Sequence, residues 1–143
     1  MSKRSIFLAA PISGFSVEQE YQKYRKSVLA LIAGLRKLSF EVYSEIERIS
    51  NASDYDSPEN SAETDFHRID QMDVFLLLHP VKEQSSTLIE LGYAYAKGKT
   101  IVIVGDTMNL PYLVLGLKTS KVQIISTSEL SARKIACILS DVE

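Results

Sequence analysis

The chain has 143 residues and a mass of 16.0 kDa, which is too small for two hydrophobic cores, so a single domain over residues 1–143 is expected. Hydrophobic residues make up 45% and charged residues 24%, a composition that argues against global disorder. With 16 Lys and Arg against 18 Asp and Glu, the net charge is −2. Since there is no basic run either, nucleic acid is not an expected partner.

Cysteine and histidine are too scarce for a disulfide or a structural metal site. One cysteine and two histidines provide neither an intramolecular disulfide nor a spaced set of zinc ligands, which favours a cytoplasmic protein without bound metal. The apolar run Ile6–Ala10 ends at Pro11, so it is too short for a signal peptide or a membrane span. Membranes are therefore not expected partners, whereas small molecules and proteins are.

Short apolar runs alternate with helical patterns along the chain. The apolar runs are typical of buried parallel strands and comprise Ile6–Ala10, Phe40–Ser44, Val74–His79, Thr100–Val104 and Val122–Ile125. Apolar residues at steps of three and four predict helices over about 17–38, 61–72, 86–98 and 129–141, with a short one beginning near residue 111. The alternation predicts an α/β fold, with about five parallel strands joined by right-handed crossovers and helices on both faces.

Capping-box spacing predicts where two of these helices begin. Such a box pairs a polar residue with a second polar residue three positions later. Ser16 with Gln19 is expected to begin the first helix, and Asn60 with Glu63 the second. In the last helical pattern, Cys137 lies among apolar residues and is expected to be a small buried side chain.

Ligands of parallel sheets lie beyond the carboxyl ends of the strands, where the strand order reverses. Three segments are therefore candidates for the site: Pro11–Phe15, His79–Ser86 and Gly105–Asn109. The first leads into a helix N-terminus, whose free N–H groups attract anions. Ser13 and Gly14 could hold a phosphate or a sugar hydroxyl there, or they could form a plain tight turn. A GxGxxG or P-loop pattern is absent, which removes the main support for those nucleotide-binding folds.

Two carboxylates are candidates for chemistry. Glu90 is predicted in the first turn of the third helix, where the helix N-terminus would favour its charge. Thr87 and Glu90 also have capping-box spacing, so the residues alone leave a catalytic and a capping role equally open. Asp65 lies on the second predicted helix, and only the tertiary fold could bring it to the same site.

Together these motifs resemble the nucleoside 2-deoxyribosyltransferase family. The resemblance covers about the first 105 residues and rests on Ile6–Gly14, on Asp65 eight residues before the segment Asp73–Leu78, and on Glu90–Ile103. It implies a flavodoxin-like sheet and an enzyme that cleaves the N-glycosidic bond of a nucleoside or nucleotide and transfers the sugar to another base or to water, without a cofactor. It further implies that Glu90 attacks the anomeric carbon and that Asp65 acts on the nucleobase or its protonation.

The expected substrate-binding residues come from the three loops and comprise Ala10, Pro11, Ile12, Ser13, Gly14, His79, Ser86 and Asn109. The sequence departs from the family at Ser86, where a glycine is frequent, and its first loop lacks the arginine and glycine of related monophosphate hydrolases. The resemblance also implies a homo-oligomer, and the apolar segment Leu110–Leu117 is a candidate interface.

Two other functions stay open at this point. Toll/interleukin-receptor-like NAD glycohydrolases resemble this chain in placing a glutamate on the helix after the third strand of a flavodoxin-like sheet. Alternatively, the protein is a nucleotide-sensing module in which Glu90 only caps a helix. Release of nicotinamide, release of a free base, or binding without turnover would distinguish the three.

Overall fold

A computed structural model describes residues 4–12, 14–50, 56–80, 86–117, 119–127 and 129–141. One five-stranded, all-parallel sheet forms the centre, with the strand order β2-β1-β3-β4-β5. The strands are β1 (Ser5–Ala9), β2 (Glu41–Tyr43), β3 (Val74–His79), β4 (Thr100–Gly105) and β5 (Val122–Ser126). The helices are α1 (Glu18–Lys37), α2 (Pro58–Gln71), α3 (Ser86–Ala96), α4 (Tyr112–Leu115) and α5 (Ala132–Asp141). The predicted α/β fold is thereby confirmed.

Both faces of the sheet are buried, as the uninterrupted apolar runs predict. Along β1, Ile6 and Leu8 pack into the core beneath α1 and α5. Phe7 and Ala9 point to the opposite core, beneath α2, α3 and α4. This two-sided burial makes the sheet a rigid base for the loops at its carboxyl edge.

The strand order places a switch point beside β1. The chain passes from β1 to β2 on one side and then crosses to β3 on the other side of β1. The helix after β1 packs on one face of the sheet and the helix after β2 on the other. The carboxyl end of β1 therefore opens into a crevice, which is where such sheets bind ligands.

The structure corrects both predicted helix starts. Val17 occupies the N-cap position of α1 without a capping hydrogen bond from its side chain, so the box at Ser16 is wrong. Helix α2 begins earlier, at Pro58, with the Ser57 side chain accepting from the Asn60 N–H at 3.2 Å. Proline suits the first helical position because its missing N–H has no partner there.

The structure also defines the conformation of Gly98, which follows α3, and the exposure of Cys137, which lies on α5. Gly98 has a φ of 71°, the left-handed conformation in which glycine commonly follows a helix end. Cys137, in contrast, is exposed. Ile135 and Leu139, one helical turn apart, are buried in the core, so Cys137 lies on the solvent side of α5.

Among the described residues, no helix is long and apolar enough to cross a membrane.

Candidate active site

A cavity of about 500 Å³ lies at the carboxyl end of β1. Its walls come from β1 and the loop after it, the 3-10 turn Glu45–Glu47 after β2, helix α2 and the first half of α3. The volume is in the range of small-molecule sites. Every charged side chain among the described lining residues is acidic: Glu45, Asp56, Asp65 and Glu90.

Glu90 reaches the cavity from α3. The helix includes Ser86 and Thr87, so Thr87 already lies inside the helix and cannot be its N-cap. Glu90 lies beyond the first turn, which contains no acidic residue. The capping-box alternative for Glu90 is therefore wrong, and its carboxyl faces the cavity instead.

Asp65 reaches the same cavity from the middle of α2, which brings the two sequence candidates together. The carboxyls of Asp65 and Glu90 lie within hydrogen-bonding range of each other. Asp65 Oδ1 is buried, and no group in the described part of the chain donates to it. Since two ionised carboxylates cannot donate to each other, this oxygen gains a partner from the pair only when one of the two groups holds a proton.

Burial and mutual repulsion set the protonation of this pair. Desolvation, followed by the charge of Asp65, raises the pKa of Glu90 to about 9. Desolvation likewise raises the pKa of Asp65 to about 7. The expectation that the helix N-terminus keeps Glu90 ionised is therefore wrong, because burial outweighs the helix dipole at this position. Two neighbouring carboxyls that share one proton can supply an acid and a nucleophile at the same time.

Glu45 is a third carboxyl in the cavity that the sequence did not single out. It follows the end of β2, and its Oε1 accepts a hydrogen bond from the Tyr43 hydroxyl at 2.8 Å. Its Oε2 forms an ion pair with Arg48. The charge of Glu45 contributes to the raised pKa of Asp65. Its position just after the predicted strand Phe40–Ser44 could have indicated it, but the charged segment there has no catalytic spacing of its own.

The first loop contributes main chain and apolar side chains to the cavity. Ala10, Pro11 and Ile12 line it, and so does Ser86 at the start of α3. Gly14 is exposed, with a φ of 93° that a tight turn requires, and is not among the lining residues. Ser13 lies outside the described residues.

His79 and Asn109 lie together at another part of the carboxyl edge. The His79 side chain is buried, and its Nε2 donates to the main-chain oxygen of Asn109 at 3.2 Å. Burial lowers the pKa of His79, so the ring is neutral at physiological pH. His79 lines a second cavity, of about 460 Å³, together with Tyr24 and Gly105. The structure therefore does not bring these two residues to the carboxyl pair.

Comparison with known proteins gives one family and several similar structures. The family model described as nucleoside 2-deoxyribosyltransferase matches residues 6–125. A comparison with curated proteins gives no match. The Clostridium botulinum CMP N-glycosidase BcmB is 25% identical, with a TM-score of 0.70 over 95% of this chain and 99% of that chain.

Two further structures have the same architecture. The solution structure of BlsM is 25% identical, with a TM-score of 0.76 over 94% of this chain and 86% of that chain. A conserved protein from Enterococcus faecalis V583 is 20% identical, with a TM-score of 0.71 over 97% of this chain and 98% of that chain, and it shows the fold alone. The match over most of the chain, together with the paired carboxyls, shows that the protein belongs to the nucleoside 2-deoxyribosyltransferase family and is an N-glycosyl transferase or hydrolase that acts on nucleosides or nucleotides.

Proposed function

We propose that this enzyme cleaves the N-glycosidic bond of a nucleoside or nucleoside 5′-monophosphate by double displacement, with Glu90 as nucleophile and Asp65 as general acid. The observation that carries the proposal is the pair of facing carboxyls in the cavity beside β1. A carboxylate stabilises and then traps an oxocarbenium-like centre, while a neighbouring acid assists departure of the leaving group.

The proton shared by the pair determines the order of events. In the first step the bond between C1′ and the base nitrogen breaks, the electron pair leaves with the base, and Asp65 supplies the proton. Because Glu90 has the higher pKa of the two, the shared proton must first pass from Glu90 to Asp65, and the Glu90 carboxylate that this leaves forms a bond to C1′. In the second step a water or another base attacks C1′ and gives its proton to Asp65, which releases Glu90.

The surroundings of the pair support a nucleotide-sized substrate. The cavity is lined by Ala10, Pro11 and Ile12, in the loop that leads to α1, and by Ser86, at the start of α3, and a sugar or phosphate would bind beside these helix N-termini. The similarity to BcmB, named as a CMP N-glycosidase, supports a nucleoside monophosphate as the first substrate to test. A cytoplasmic location stays a prediction, in keeping with the exposed free thiol of Cys137.

A product screen tests the proposal. Ribo- and deoxynucleosides, their 5′-monophosphates and NAD are incubated with the protein, with and without an acceptor base, and products are separated by liquid chromatography. We expect release of a free base, or base exchange, from at least one nucleoside or nucleotide. Release of nicotinamide from NAD alone would favour the Toll/interleukin-receptor-like activity. Nucleotide binding without any release would favour a sensing module.

We also propose a homo-oligomer, because apolar side chains around α4 are exposed in a single chain. Met108 is 86% exposed, Tyr112 93% and Leu113 77%. Large apolar residues that cluster on a surface commonly mark a protein interface. A second copy of the chain is the partner that the family resemblance implies.

A further inference from the structure

The side chain of Glu45 is held in a fixed direction at the wall of the active-site cavity. The Tyr43 hydroxyl donates to one carboxylate oxygen and the Arg48 guanidinium to the other. The Tyr43 ring is itself fixed between the guanidinium of Arg68, 4.9 Å from its centroid, and the ring of Phe7, 5.5 Å away. A carboxylate with this support keeps its orientation when a ligand binds.

Glu45 and Glu90 lie on opposite sides of the end of β1. Glu45 follows β2 and Glu90 belongs to the helix after β3, and these two strands flank β1 in the sheet. Asp65 contacts both of their carboxyls. A sugar whose C1′ faces Glu90, and whose base is protonated by Asp65, therefore directs the base toward the Glu45 side.

The hydrogen-bonding capacity left on Glu45 determines which base edge fits there. Each carboxylate oxygen has two lone-pair sites, and the contacts with Tyr43 and Arg48 occupy one on each oxygen. Glu45 can therefore still accept but cannot donate. Asp56, the other acidic wall residue, already accepts from the Ser57 N–H at 2.8 Å. The nearby walls Phe7, Ile49 and Phe66 are apolar and supply no donor.

Asp65 and Glu45 together present a donor beside an acceptor. When Asp65 holds the proton of the carboxyl pair, it donates, and Glu45 accepts. The complementary base edge has an acceptor nitrogen beside an amino group, as in cytosine. Uracil presents the inverse, an N–H beside a carbonyl oxygen, which would leave two acceptors facing each other at Glu45.

We propose that Glu45 determines base specificity by accepting a hydrogen bond from the exocyclic amino group of the base, so that cytosine is preferred over uracil. This inference rests on the proposed function, because it takes Glu90 and Asp65 as the reference points for the sugar and the base. Rejection of uracil follows from an unpaired, desolvated acceptor, and we expect a difference of at least about tenfold in kcat/KM.

The test compares base release from CMP with UMP, and from dCMP with dUMP, for three proteins. These are the unmodified protein, Glu45→Gln and the matched control Glu47→Gln. Glu47 lies in the same 3-10 turn, but its carboxylate pairs with Arg36 outside the cavity. The amide of Gln can donate as well as accept. We therefore expect Glu45→Gln to bring the cytosine-to-uracil ratio close to one, while Glu47→Gln keeps the ratio of the unmodified protein.

Three outcomes would overturn the inference while leaving the proposed function intact. The first is equal cleavage of cytosine and uracil nucleotides by the unmodified protein. The second is an equal loss with both bases in Glu45→Gln, as a purely structural role would give. The third is a change in the ribose-to-deoxyribose ratio instead, which would assign Glu45 to the sugar.

Measurements of nucleotide binding test base recognition independently of catalysis. Calorimetric titration of Glu90→Gln with CMP and UMP measures base preference without turnover. If no substrate is cleaved by the unmodified protein, the proposed function fails, whereas a CMP preference in this titration that is lost in Glu45→Gln/Glu90→Gln still supports base recognition. Equal affinity for CMP and UMP would contradict it.

Discussion

The carboxyl of Glu90 is the group on which the proposed chemistry depends. Glu90→Gln keeps the size of the side chain but can neither attack C1′ nor stabilise positive charge on the sugar. We expect base release from the best substrate to fall by at least about 10³-fold, measured by chromatography of the free base. Glu63→Gln, an exposed change on α2, is the control for lost charge. Unchanged turnover in Glu90→Gln would exclude the glycosyl-enzyme route.

Intact-protein mass spectrometry gives a second readout of the same residue. During turnover, the unmodified protein should carry the mass of one sugar or sugar phosphate, and Glu90→Gln should not. An adduct that persists in Glu90→Gln would place the covalent bond on another side chain.

The role of Asp65 can be measured by comparing substrates whose bases differ as leaving groups. General acid help contributes about 10²–10⁴-fold, and it matters most for a base that leaves poorly without a proton. We expect Asp65→Asn to slow release of an ordinary base by that factor and to slow release of a base with a strongly electron-withdrawing substituent much less. Equal slowing of the two bases would assign Asp65 a structural role.

The raised pKa values of the pair predict the pH dependence of cleavage. Below about pH 7 both carboxyls are protonated and the nucleophile is lost, whereas above about pH 9 both are ionised and the acid is lost. The active form holds one proton, so kcat/KM should follow a bell-shaped curve between these values. Asp65→Asn should remove the alkaline limb and leave a single acid limb between about pH 7 and about pH 9, since Glu90 then titrates alone and its pKa falls from about 9 without the Asp65 charge. If the pH profile of kcat/KM for Asp65→Asn kept its alkaline limb, that limb would belong to another group.

Among the secondary-structure elements, the sequence predicted the buried strands better than it predicted where helices begin and which helix face is exposed. The continuous apolar run of β3 carries its own signal, because both faces of a parallel strand are covered. The start of α2 at Pro58 follows from local signals, the Ser57 cap and the proline, that the Asn60 spacing obscured. The exposure of Cys137 depends on which face of α5 meets the sheet, and one helix alone does not fix that. Glu45 was missed because only the pairing of β2 with β1 brings it beside Asp65.

The contact between α1 and α5 explains a glycine that helix propensity disfavours. A Cβ on Gly34 would lie 2.9 Å from the Ala132 Cβ, closer than two carbon atoms can pack. We expect Gly34→Val to push the helices apart and lower the free energy of unfolding by about 1–3 kcal/mol, measured by urea denaturation. When Ala132 is also replaced by Gly, Gly34→Val should lower the free energy of unfolding by less. An equal decrease with and without Ala132→Gly would mean that this contact is not the cause.

At the scale of the whole molecule, the exposed residues around α4 predict self-association. Leu113→Glu places a charge at the centre of the apolar surface formed with Met108 and Tyr112. Light scattering at micromolar concentration should show a multiple of the 16.0 kDa chain mass for the unmodified protein and a smaller species for Leu113→Glu. Lys37→Glu, on the exposed end of α1, controls for the added charge. A monomeric mass for the unmodified protein would remove the support for an oligomer.

The carboxyl pair also links the stability of the whole fold to pH. In the unfolded chain both carboxyls titrate near pH 4, whereas burial raises their folded pKa values to about 7 and about 9. Between these limits the folded state binds more protons than the unfolded state, so the free energy of unfolding falls as pH rises. Glu90→Gln removes the group with the larger shift, since an amide holds no proton to lose. We expect urea denaturation to show similar stability for the two proteins at pH 4 and an advantage for Glu90→Gln that grows up to about pH 9, whereas Glu63→Gln should follow the unmodified protein. If Glu90→Gln lost as much stability between pH 4 and pH 9 as the unmodified protein, the cost of ionising the pair would not lie at Glu90.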